Sequence, residues 1–342
     1  MGRSTMRIAA ILAALILTLA GGIARMEGED NMATPYERHG RLHVEGVHLV
    51  DESGAPFALR GVSTHGIGVY PEYVNADAFR TLRDDWGANV IRLAMYTEVE
   101  NGYLTGGDKA AQEALIDRAV NDCADLGLYV IIDWHILTDY DPNQHVDEAV
   151  DFFDRMAARY AGCGNVIYEI CNEPNGTVNW ATVKRYAERV VPVIRRHAPD
   201  ALILCGTPMW SQDVDSVAAA PLDDANVMYV LHFYAATHRD LLRAKLERAL
   251  DAGTPVFISE FSICDASGNG RVDYDSAAAW RQLILDRGLS YIGWNLSNKD
   301  ESSALIQPDC ALTSDWPEDA ISETGLWLRN CLREDRDREC GR

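Results

Sequence analysis

Two glutamates, Glu173 and Glu260, stand at the ends of short apolar stretches. The first stretch is Val166-Ile-Tyr-Glu-Ile-Cys-Asn-Glu-Pro-Asn175, whose β-branched and aromatic residues predict a strand, with Glu169 as a polar residue lining its interior side. Pro174 cannot join a β-ladder and restricts Glu173 to extended backbone, so this strand ends there. The second stretch is Pro255-Val-Phe-Ile-Ser-Glu-Phe261. One such acid is as easily a solvated turn residue, but two carboxylates at two strand ends are the minimum equipment for hydrolysing a glycosidic bond.

Polar and ring-bearing residues follow most of the other apolar stretches. They are His65, Arg92, Asp133-Trp134-His135, Asn172, Trp210, His232-Phe233-Tyr234 and Trp294-Asn295. Each has a purely structural interpretation, since a lone histidine can be a hydrogen-bonded scaffold residue, Arg92 can pair with a buried acid, and the aromatic rings can pack in a core. Their accumulation at the ends of successive strands instead favours one shared cleft, because the C-terminal strand ends of a barrel form a single face.

Glycoside hydrolysis suggests a role for each of these side chains. One carboxyl must stay protonated to donate to the leaving oxygen, and the other must be ionised to attack the sugar. A cation lowers the pKa of a neighbouring carboxyl, so Arg92 can keep the nucleophile ionised while Tyr234 donates a hydrogen bond to it. Asn172 can bind a sugar hydroxyl, Trp210 and Trp294 can stack on apolar sugar faces, and the histidines can fix hydroxyls or orient the acids.

The elements that must position these residues alternate between short apolar strands and longer helical patterns, as in βα units. The predicted strands are 58–64, 88–94, 128–134, 165–171, 201–206, 226–233, 254–260 and 289–296. The predicted helices are 75–86, 109–126, 146–161, 178–198, 211–218, 238–252, 274–287 and 317–332. Eight successive units predict an α/β fold, the (β/α)8 TIM barrel. Residues 40–46 and 48–56 predict an N-terminal β-hairpin with turn residues at Ser53-Gly54.

Composition limits the class of ligand. The 342 residues carry a net charge of -21, which repels nucleic acid and suits a soluble protein with a neutral ligand. No Gly-x-Gly-x-x-Gly follows the first predicted strand, so a dinucleotide cofactor is disfavoured. Because no linker composition interrupts the pattern, residues 40–332 are predicted to form one catalytic domain.

The two ends of the chain are expected to lie outside this domain. Arg3 and Arg7 precede an apolar run over 8–20 and then small residues, which predicts a cleaved signal peptide over 1–25, with an uncleaved anchor as the alternative. Residues 26–39 are predicted to be flexible and 333–342 to form a tail. The protein is therefore expected to be secreted, extracellular and free of membrane after cleavage.

The eight cysteines do not follow a zinc-binding pattern. Cys171 and Cys205 end apolar strands and are interpreted as small core residues. Export permits disulfides, and the pairs 123–163 and 331–340 are hypotheses of that kind.

The assembled motifs resemble glycoside hydrolase family 5, and within it the bacterial endo-β-1,4-glucanases. The resemblance runs from about residue 40 to about residue 329. It is carried by Ser63-Thr-His-Gly66, Ile91-Arg-Leu-Ala-Met-Tyr-Thr97, Ile132-Asp-Trp-His135, Ile167-Tyr-Glu-Ile-Cys-Asn-Glu-Pro-Asn-Gly176, Trp210-Ser-Gln-Asp-Val214, His232-Phe-Tyr-Ala-Ala-Thr-His238, Ile258-Ser-Glu-Phe261 and Trp294-Asn-Leu-Ser-Asn-Lys-Asp-Glu-Ser-Ser-Ala304.

This resemblance implies that Glu173 is the acid/base and Glu260 the nucleophile of a retaining enzyme that needs no metal or other cofactor. The supporting positions it implies are Arg92, His135, Asn172, His232, Tyr234 and Trp294. The substrate-contact positions it implies are His65, Tyr96, Trp210, Lys299 and Glu301. The implied partner is a β-glucan polysaccharide or oligosaccharide bound by a monomer. One departure concerns Val69, which stands where related cellulases carry a tryptophan, with Tyr70 as the possible substitute.

Three alternatives stay open at this point. The same framework serves mannanases, xylanases and mixed-linkage glucanases, although the segment 299–304 favours glucan. A binding-only barrel would keep the cleft without turnover. A metal hydrolase would use His135, His232 and the acids as ligands, but no His-x-His or His-Glu-x-x-His occurs in the chain.

Overall fold

The structure is a computed structural model that describes residues 33–99 and 101–341. The predicted signal peptide, residues 1–25, lies outside the described residues. Within the described part of the chain, no helix is both long enough and apolar enough to cross a membrane.

Eight parallel strands close into a barrel, and helices lie between successive strands along the chain, which confirms the predicted (β/α)8 fold. After a two-stranded hairpin, β1 (His43–Glu45) and β2 (His48–Val50), the barrel strands follow in chain order. They are β3 (Arg60–Thr64), β4 (Val90–Tyr96), β5 (Tyr129–His135), β6 (Val166–Glu169), β7 (Ile203–Cys205), β8 (Val227–Tyr234), β9 (Val256–Ser262) and β10 (Tyr291–Leu296). Each strand pairs with its neighbour in sequence, and β10 closes the barrel against β3.

Most of the helices begin at a side chain that caps them, the exceptions being the helices that follow His145 and Arg239. They are α1 (Pro35–His39), α2 (Ala76–Thr81, continued by a π-helical turn over Leu82–Trp86), α3 (Lys109–Asp125), α4 (Val146–Arg159), α5 (Trp180–His197), α6 (Asp240–Asp251), α7 (Tyr274–Arg287) and α8 (Glu323–Glu339). Asn75, Asp108, Asn179, Asp273 and Ser322 each accept a hydrogen bond from a backbone N–H of the first turn. Such caps satisfy donors that the helix itself leaves free, each contributing about 1 kcal/mol.

The predicted helix 211–218 is wrong. A single turn over Pro208–Ser211 and a 3-10 turn over Val214–Ser216 take its place. The backbone φ angle is positive at Met209, Trp210 and Ser211, so a right-handed helix cannot run through them.

The N-terminal hairpin exists, but its predicted turn is wrong. The chain reverses at Gly46-Val47, between β1 and β2, and Gly46 has a φ of 63°, which glycine adopts without steric cost. Ser53-Gly54 forms a separate turn after β2, where the Asp51 carboxylate accepts from the backbone N–H of Ser53.

Two apolar cores hold the barrel together. The larger core lies between strands and helices. The smaller core fills the barrel interior and includes Leu42 and Leu49 from the hairpin region, together with Val90, Ile131 and Ile167 from the strands. The hairpin region therefore packs its apolar side chains against the barrel interior, and these side chains belong to the same core as the interior residues.

A polar layer lies directly above this inner core. Because side chains alternate across a strand, the residue two positions after each inner apolar residue faces the same interior. Those residues are Arg92 after Val90, Asp133 after Ile131, Glu169 after Ile167, His232 after Val230 and Ser259 after Phe257. All five are buried polar side chains, and they form the base on which the cleft is built.

Both predictions about the chain ends need correction where the structure describes them. Residues 26–39 were expected to be flexible, yet Pro35–His39 is helical and Thr34 and Glu37 form a reciprocal capping pair. Residues 333–342 were expected to be a tail, yet α8 continues to Glu339 because Asp335 is buried in an ionic network. Its carboxylate accepts from Arg281 Nη1 at 2.7 Å and from the Tyr291 hydroxyl at 2.6 Å.

The disulfide hypotheses are also wrong, since all eight cysteines are free thiols. Cys331 lies within α8 and Cys340 is its C-terminal cap, nine residues further on. At about 1.5 Å of rise per residue their Cα atoms are roughly 13 Å apart, far beyond the reach of a disulfide. Cys123 is a fully buried member of the larger core.

Replacing Asp335 by asparagine should destabilise the fold. The change leaves Arg281 without its buried counter-charge, which costs about 3 kcal/mol in comparable pairs. Urea unfolding followed by far-UV circular dichroism should show the loss as a lower midpoint. Asp337→Asn is the matched control on the same helix, because the Asp337 side chain is about half exposed and, among the described residues, its ion pair is with the adjacent Arg336. Equal midpoints for the two variants would show that α8 is not anchored through Asp335.

Candidate active site

A cleft of about 650 Å³ opens at the C-terminal ends of the barrel strands. Ten of the thirteen predicted site residues line it: His65, Tyr96, His135, Glu173, Trp210, Tyr234, Glu260, Trp294, Lys299 and Glu301. The other three, Arg92, Asn172 and His232, are buried and hydrogen-bond to the residues that line it. The cleft is also lined by Leu137, Met209, Gln212, His238, Ala266, Ser267 and Gly268, which sequence reasoning did not assign.

The two glutamates face each other across the cleft floor. Glu173 follows β6 and Glu260 lies in β9, and one carboxylate oxygen of each lies within 4.8 Å of the other. Both side chains are almost completely buried, with residue exposures of 8% and 4%. The strand that precedes Glu173 and the proline that follows it therefore bring this acid to the position opposite Glu260.

Glu260 accepts two hydrogen bonds that stabilise its ionised form. Arg92 Nη1 donates at 3.2 Å and the Tyr234 hydroxyl donates at 2.8 Å. Burial raises the pKa of Glu260, while the charge of Arg92 and the Tyr234 hydrogen bond act in the opposite direction.

Glu173 has a different environment. Its Oε1 lies 2.9 Å from Nδ1 of His232. Burial lowers the pKa of His232 well below its usual range, so the imidazole is neutral. Burial first, and then the charge of Glu260, raise the pKa of Glu173 well above its usual range. Burial raises the pKa of both acids, but more for Glu173, so Glu173 holds its proton more tightly than Glu260 does.

All five N–H donors of Arg92 are used within the barrel. Glu169 receives two of them, from Nε at 2.8 Å and from Nη2 at 2.9 Å. Asn172 Oδ1 accepts at 2.6 Å, and Ser63 Oγ and Glu260 Oε2 each accept at 3.2 Å. Both interpretations of Arg92 therefore describe real contacts: it bonds the proposed nucleophile, but its bidentate partner is the buried acid Glu169.

His135 orients Asn172. Its Nδ1 bonds Asp133 at 2.6 Å, and its Nε2 lies 3.2 Å from Asn172 Nδ2. Burial and the charge of Arg92 lower the pKa of His135 to about 3, so the ring is neutral and Nε2 accepts from the amide. The ring of Trp294 stacks on His135 with centroids 5.3 Å apart, which presents the indole to the cleft.

Four of the predicted substrate-contact residues gather at one end of the cleft. Lys299 Nζ lies 2.7 Å from Glu301 Oε2 and 3.4 Å from His65 Nε2. Burial and the charge of Lys299 lower the pKa of His65 to about 4. The Tyr96 ring packs edge-on against His135, with centroids 4.2 Å apart. This end offers charged and hydroxyl groups suited to a hydroxylated ligand.

Trp210 lies in the turn over Pro208–Ser211, whose backbone is left-handed at Met209, Trp210 and Ser211. Its side chain is 42% exposed, its backbone N–H donates to the Pro174 carbonyl, and the Ser211 hydroxyl donates to the Asn172 carbonyl at 2.6 Å. Left-handed backbone costs about 1–2 kcal/mol per non-glycine residue. These hydrogen bonds hold the turn and join Trp210 directly to the segment that carries Glu173.

Val69 and Tyr70 contribute little to the cleft. Val69 is 38% exposed, and the Tyr70 ring packs edge-on against His65 with centroids 5.0 Å apart. Neither is among the described residues that line the cleft, so a substitute role for Tyr70 stays a prediction.

The sequence predicts Glu169 on the interior side of its strand but not its partners, and Ser259 was not identified at all. Ser259 Oγ donates to Glu169 Oε1 at 2.8 Å and lies 3.0 Å from His232 Nε2. Burial raises the pKa of Glu169, whereas the Arg92 guanidinium and the Ser259 hydroxyl, which both donate to its oxygens, act in the opposite direction and favour the carboxylate. The signal that could have found them is the spacing of two after Ile167 and Phe257, which puts both into the same interior layer as Arg92.

Within the described residues, one trio has the proximity of metal ligands: Glu173, His232 and Glu260, with one donor atom of each within 4.8 Å of the others. Both ring nitrogens of His232 already have protein partners, and Glu260 faces the Arg92 cation. The donor set therefore fits a hydrogen-bonded pair of acids better than a metal centre.

Comparison with known sequences identifies the family. The model described as Cellulase (glycosyl hydrolase family 5) matches residues 50–300, more than half of the chain. Endoglucanase A of Butyrivibrio fibrisolvens is 52% identical over 294 residues, covering 85% of this chain and 68% of that protein. Endoglucanase 5 of Pectobacterium carotovorum subsp. carotovorum is 44% identical over 302 residues, covering 88% of this chain and 59% of that protein. The chain spans 57% to 68% of the length of five such curated relatives.

Solved structures give the same answer. The catalytic domain of Thermobifida fusca endoglucanase Cel5A, in complex with cellotetraose, superposes with a TM-score of 0.84 at 39% identity, covering 88% of this chain and all of that one. Cellulase Cel5C_n superposes with a TM-score of 0.85 at 43% identity, covering 88% of this chain and 94% of that one. The chain belongs to the cellulase family, glycosyl hydrolase family 5.

Proposed function

We propose that this protein is a retaining endo-β-1,4-glucanase in which Glu260 is the nucleophile and Glu173 the acid/base. The observation that carries the proposal is the separation of the two carboxyls, within 4.8 Å between oxygens at the floor of one cleft. Retaining glycosidases hold their acids about 5 Å apart, whereas inverting enzymes leave a wider gap for a water molecule.

The first step is attack of Glu260 on the anomeric carbon. A bond forms between its carboxylate oxygen and that carbon, while the bond to the leaving oxygen breaks and Glu173 gives that oxygen its proton. Arg92 and Tyr234 hold Glu260 ionised and aimed, since both donate to its oxygens. The product is a glycosyl-enzyme.

The second step reverses the proton transfer. Glu173, now ionised, takes a proton from water while the water oxygen attacks the anomeric carbon and displaces Glu260. The sugar leaves with its original anomeric configuration after two inversions. No metal or cofactor takes part in either step.

A β-1,4-glucan is the substrate that the comparisons favour. The two relatives described above are named endoglucanases, and the Thermobifida fusca structure is a complex with cellotetraose. The cleft supports this choice, because Trp210 and Trp294 offer apolar ring faces while Lys299 and Glu301 offer hydrogen-bonding groups. Secretion, a monomeric state and freedom from membrane are part of the proposal and rest on the pattern of residues 1–25 and on the acidic composition.

A polysaccharide panel tests the substrate assignment. Purified enzyme should release reducing ends fastest from carboxymethylcellulose or mixed-linkage β-glucan, and at least about tenfold more slowly from mannan and xylan, because wrong sugars leave buried polar groups of the site unpaired. Faster hydrolysis of mannan or xylan would reassign the substrate. Tight binding of cello-oligosaccharides without any release of reducing ends would instead indicate a binding-only barrel.

Replacing Glu260 by alanine should abolish hydrolysis. We expect a loss of roughly 10⁴-fold or more in kcat, the scale of nucleophile removal in other hydrolases. Azide added with an aryl β-cellobioside should restore turnover and yield the α-glycosyl azide, since the small anion attacks from the vacated side. Glu148→Ala, which removes an exposed acid from α4, is the control and should retain full activity. Normal turnover by Glu260→Ala would refute the assignment of the nucleophile.

Replacing Glu173 by alanine should have an effect that depends on the leaving group. For cello-oligosaccharides kcat/KM should fall by about 10²–10⁴-fold, because general acid catalysis is lost. For a dinitrophenyl β-cellobioside, whose leaving group needs no proton, kcat/KM should stay within about tenfold. Equal losses on both substrates would count against an acid role for Glu173.

A further inference from the structure

We propose that Ser259 and Glu169 are positioning residues that fix the tautomer of His232, so that its unprotonated Nδ1 faces Glu173 and keeps the proton on that carboxyl. The contacts form one chain: Arg92 to Glu169, Ser259, His232 and Glu173. The assignment of Glu173 as the acid comes from the proposed function. The direction of the hydrogen bonds follows from the heavy-atom contacts together with the neutral state of the buried imidazole.

Glu169 must be an acceptor. Arg92 donates to both of its oxygens, at 2.8 Å and 2.9 Å, and a guanidinium always carries its protons. The protonated oxygen of a carboxylic acid accepts poorly, so two short N–H bonds to the two oxygens require the carboxylate form. Glu169 therefore has no proton to give to Ser259.

Ser259 must donate its one hydrogen to Glu169. A serine hydroxyl has one hydrogen and two lone pairs. With Glu169 Oε1 at 2.8 Å as a pure acceptor, that hydrogen points to Glu169. At the 3.0 Å contact with His232 Nε2, the hydroxyl can then only accept, so Nε2 must carry a hydrogen.

One proton lies between His232 and Glu173. Because the buried imidazole is neutral, it holds one proton, and that proton is on Nε2. Nδ1 is left with a lone pair 2.9 Å from Glu173 Oε1. A carboxylate at that distance would oppose two lone pairs, so the stable partner of Nδ1 is the protonated acid.

The arrangement has a consequence for both catalytic steps. In the free enzyme it keeps Glu173 loaded with the proton that the leaving oxygen needs. After that proton has gone, the carboxylate faces a lone pair, which makes it a stronger base towards water in the second step. The fixed tautomer of His232 thus favours the protonated form of Glu173 before cleavage and favours proton uptake by Glu173 after it.

Several other charged or titratable groups face Glu173 and His232 from the surrounding strands. They are Arg92 and Tyr96 on β4, Asp133 and His135 on β5, Glu169 on β6, Tyr234 on β8 and Glu260 on β9. A substitution that tests the tautomer must leave these groups in place. Ser259→Ala does so, since it removes one uncharged hydroxyl.

The test is the pH dependence of kcat/KM for Ser259→Ala on a cello-oligosaccharide. Without the hydroxyl, His232 can move its proton to Nδ1 and donate to an ionised Glu173, which lowers the pKa of Glu173. The basic limb of the profile, where Glu173 loses its proton, should therefore move down by about one pH unit. Ser259→Thr keeps the hydroxyl and should restore the wild-type limb. With a dinitrophenyl β-cellobioside, which needs no acid, the substitution should leave the profile unchanged.

The matched control is Ser262→Ala, the same change on the same buried strand, at a hydroxyl whose contact is with Cys264. Its basic limb should coincide with that of the wild type. A folded Ser259→Ala enzyme with an unmoved limb, or with equal losses on both substrates, would overturn the proposal.

Nitrogen-15 NMR of histidine-labelled wild-type protein tests the same idea without a Ser259 variant. The His232 signals, assigned by their absence in His232→Gln, should show a bare Nδ1 and a protonated Nε2. The opposite tautomer would overturn the proposal even if Ser259→Ala failed to fold. Because this readout does not depend on turnover, its failure is distinguishable from failure of the glucanase assignment, which the polysaccharide panel detects.

Discussion

The site depends on one buried cation, the guanidinium of Arg92. A fully buried charge is costly unless it is paired and hydrogen-bonded, and here all five donors have acceptors. Its acceptors belong to β3, β6, the segment after β6, and β9. The requirement to satisfy Arg92 therefore fixes the relative positions of Glu260, Glu169 and Asn172, and with them the distance between the two proposed catalytic acids.

In the barrel, the layer of polar side chains that contains this charge lies between an apolar core and the cleft. Residues such as Val90, Ile131 and Ile167 occupy the interior, and the hairpin residues Leu42 and Leu49 belong to the same core. The next interior layer is polar and the layer above it is the cleft. Low dielectric below and solvent above mean that the polar layer interacts strongly with the two acids while substrate can still reach them.

The polar layer gives the two glutamate side chains, Glu173 and Glu260, opposite preferences for the protonated and the ionised form. Glu260 faces donors, the Arg92 guanidinium and the Tyr234 hydroxyl, which favour its ionised form. Glu173 faces a neutral imidazole and the charge of Glu260, which favour its protonated form. The difference arises within a few ångströms and follows from which hydrogen-bonding groups each carboxyl meets, since burial is nearly the same for both.

The amino-acid sequence by itself determined the number and order of the barrel units, because strand and helix periodicities are local properties of the chain. It also determined which residues stand at the strand ends, Glu173 and Glu260 among them. It did not determine that α8 runs on through Asp335, that Trp210 sits in a left-handed turn, or that Glu169 is the bidentate partner of Arg92. Those features depend on contacts between residues far apart in sequence, as in the pairing of Arg281 with Asp335. Only the closed barrel brings such groups to hydrogen-bond distance, so only the tertiary structure could decide them.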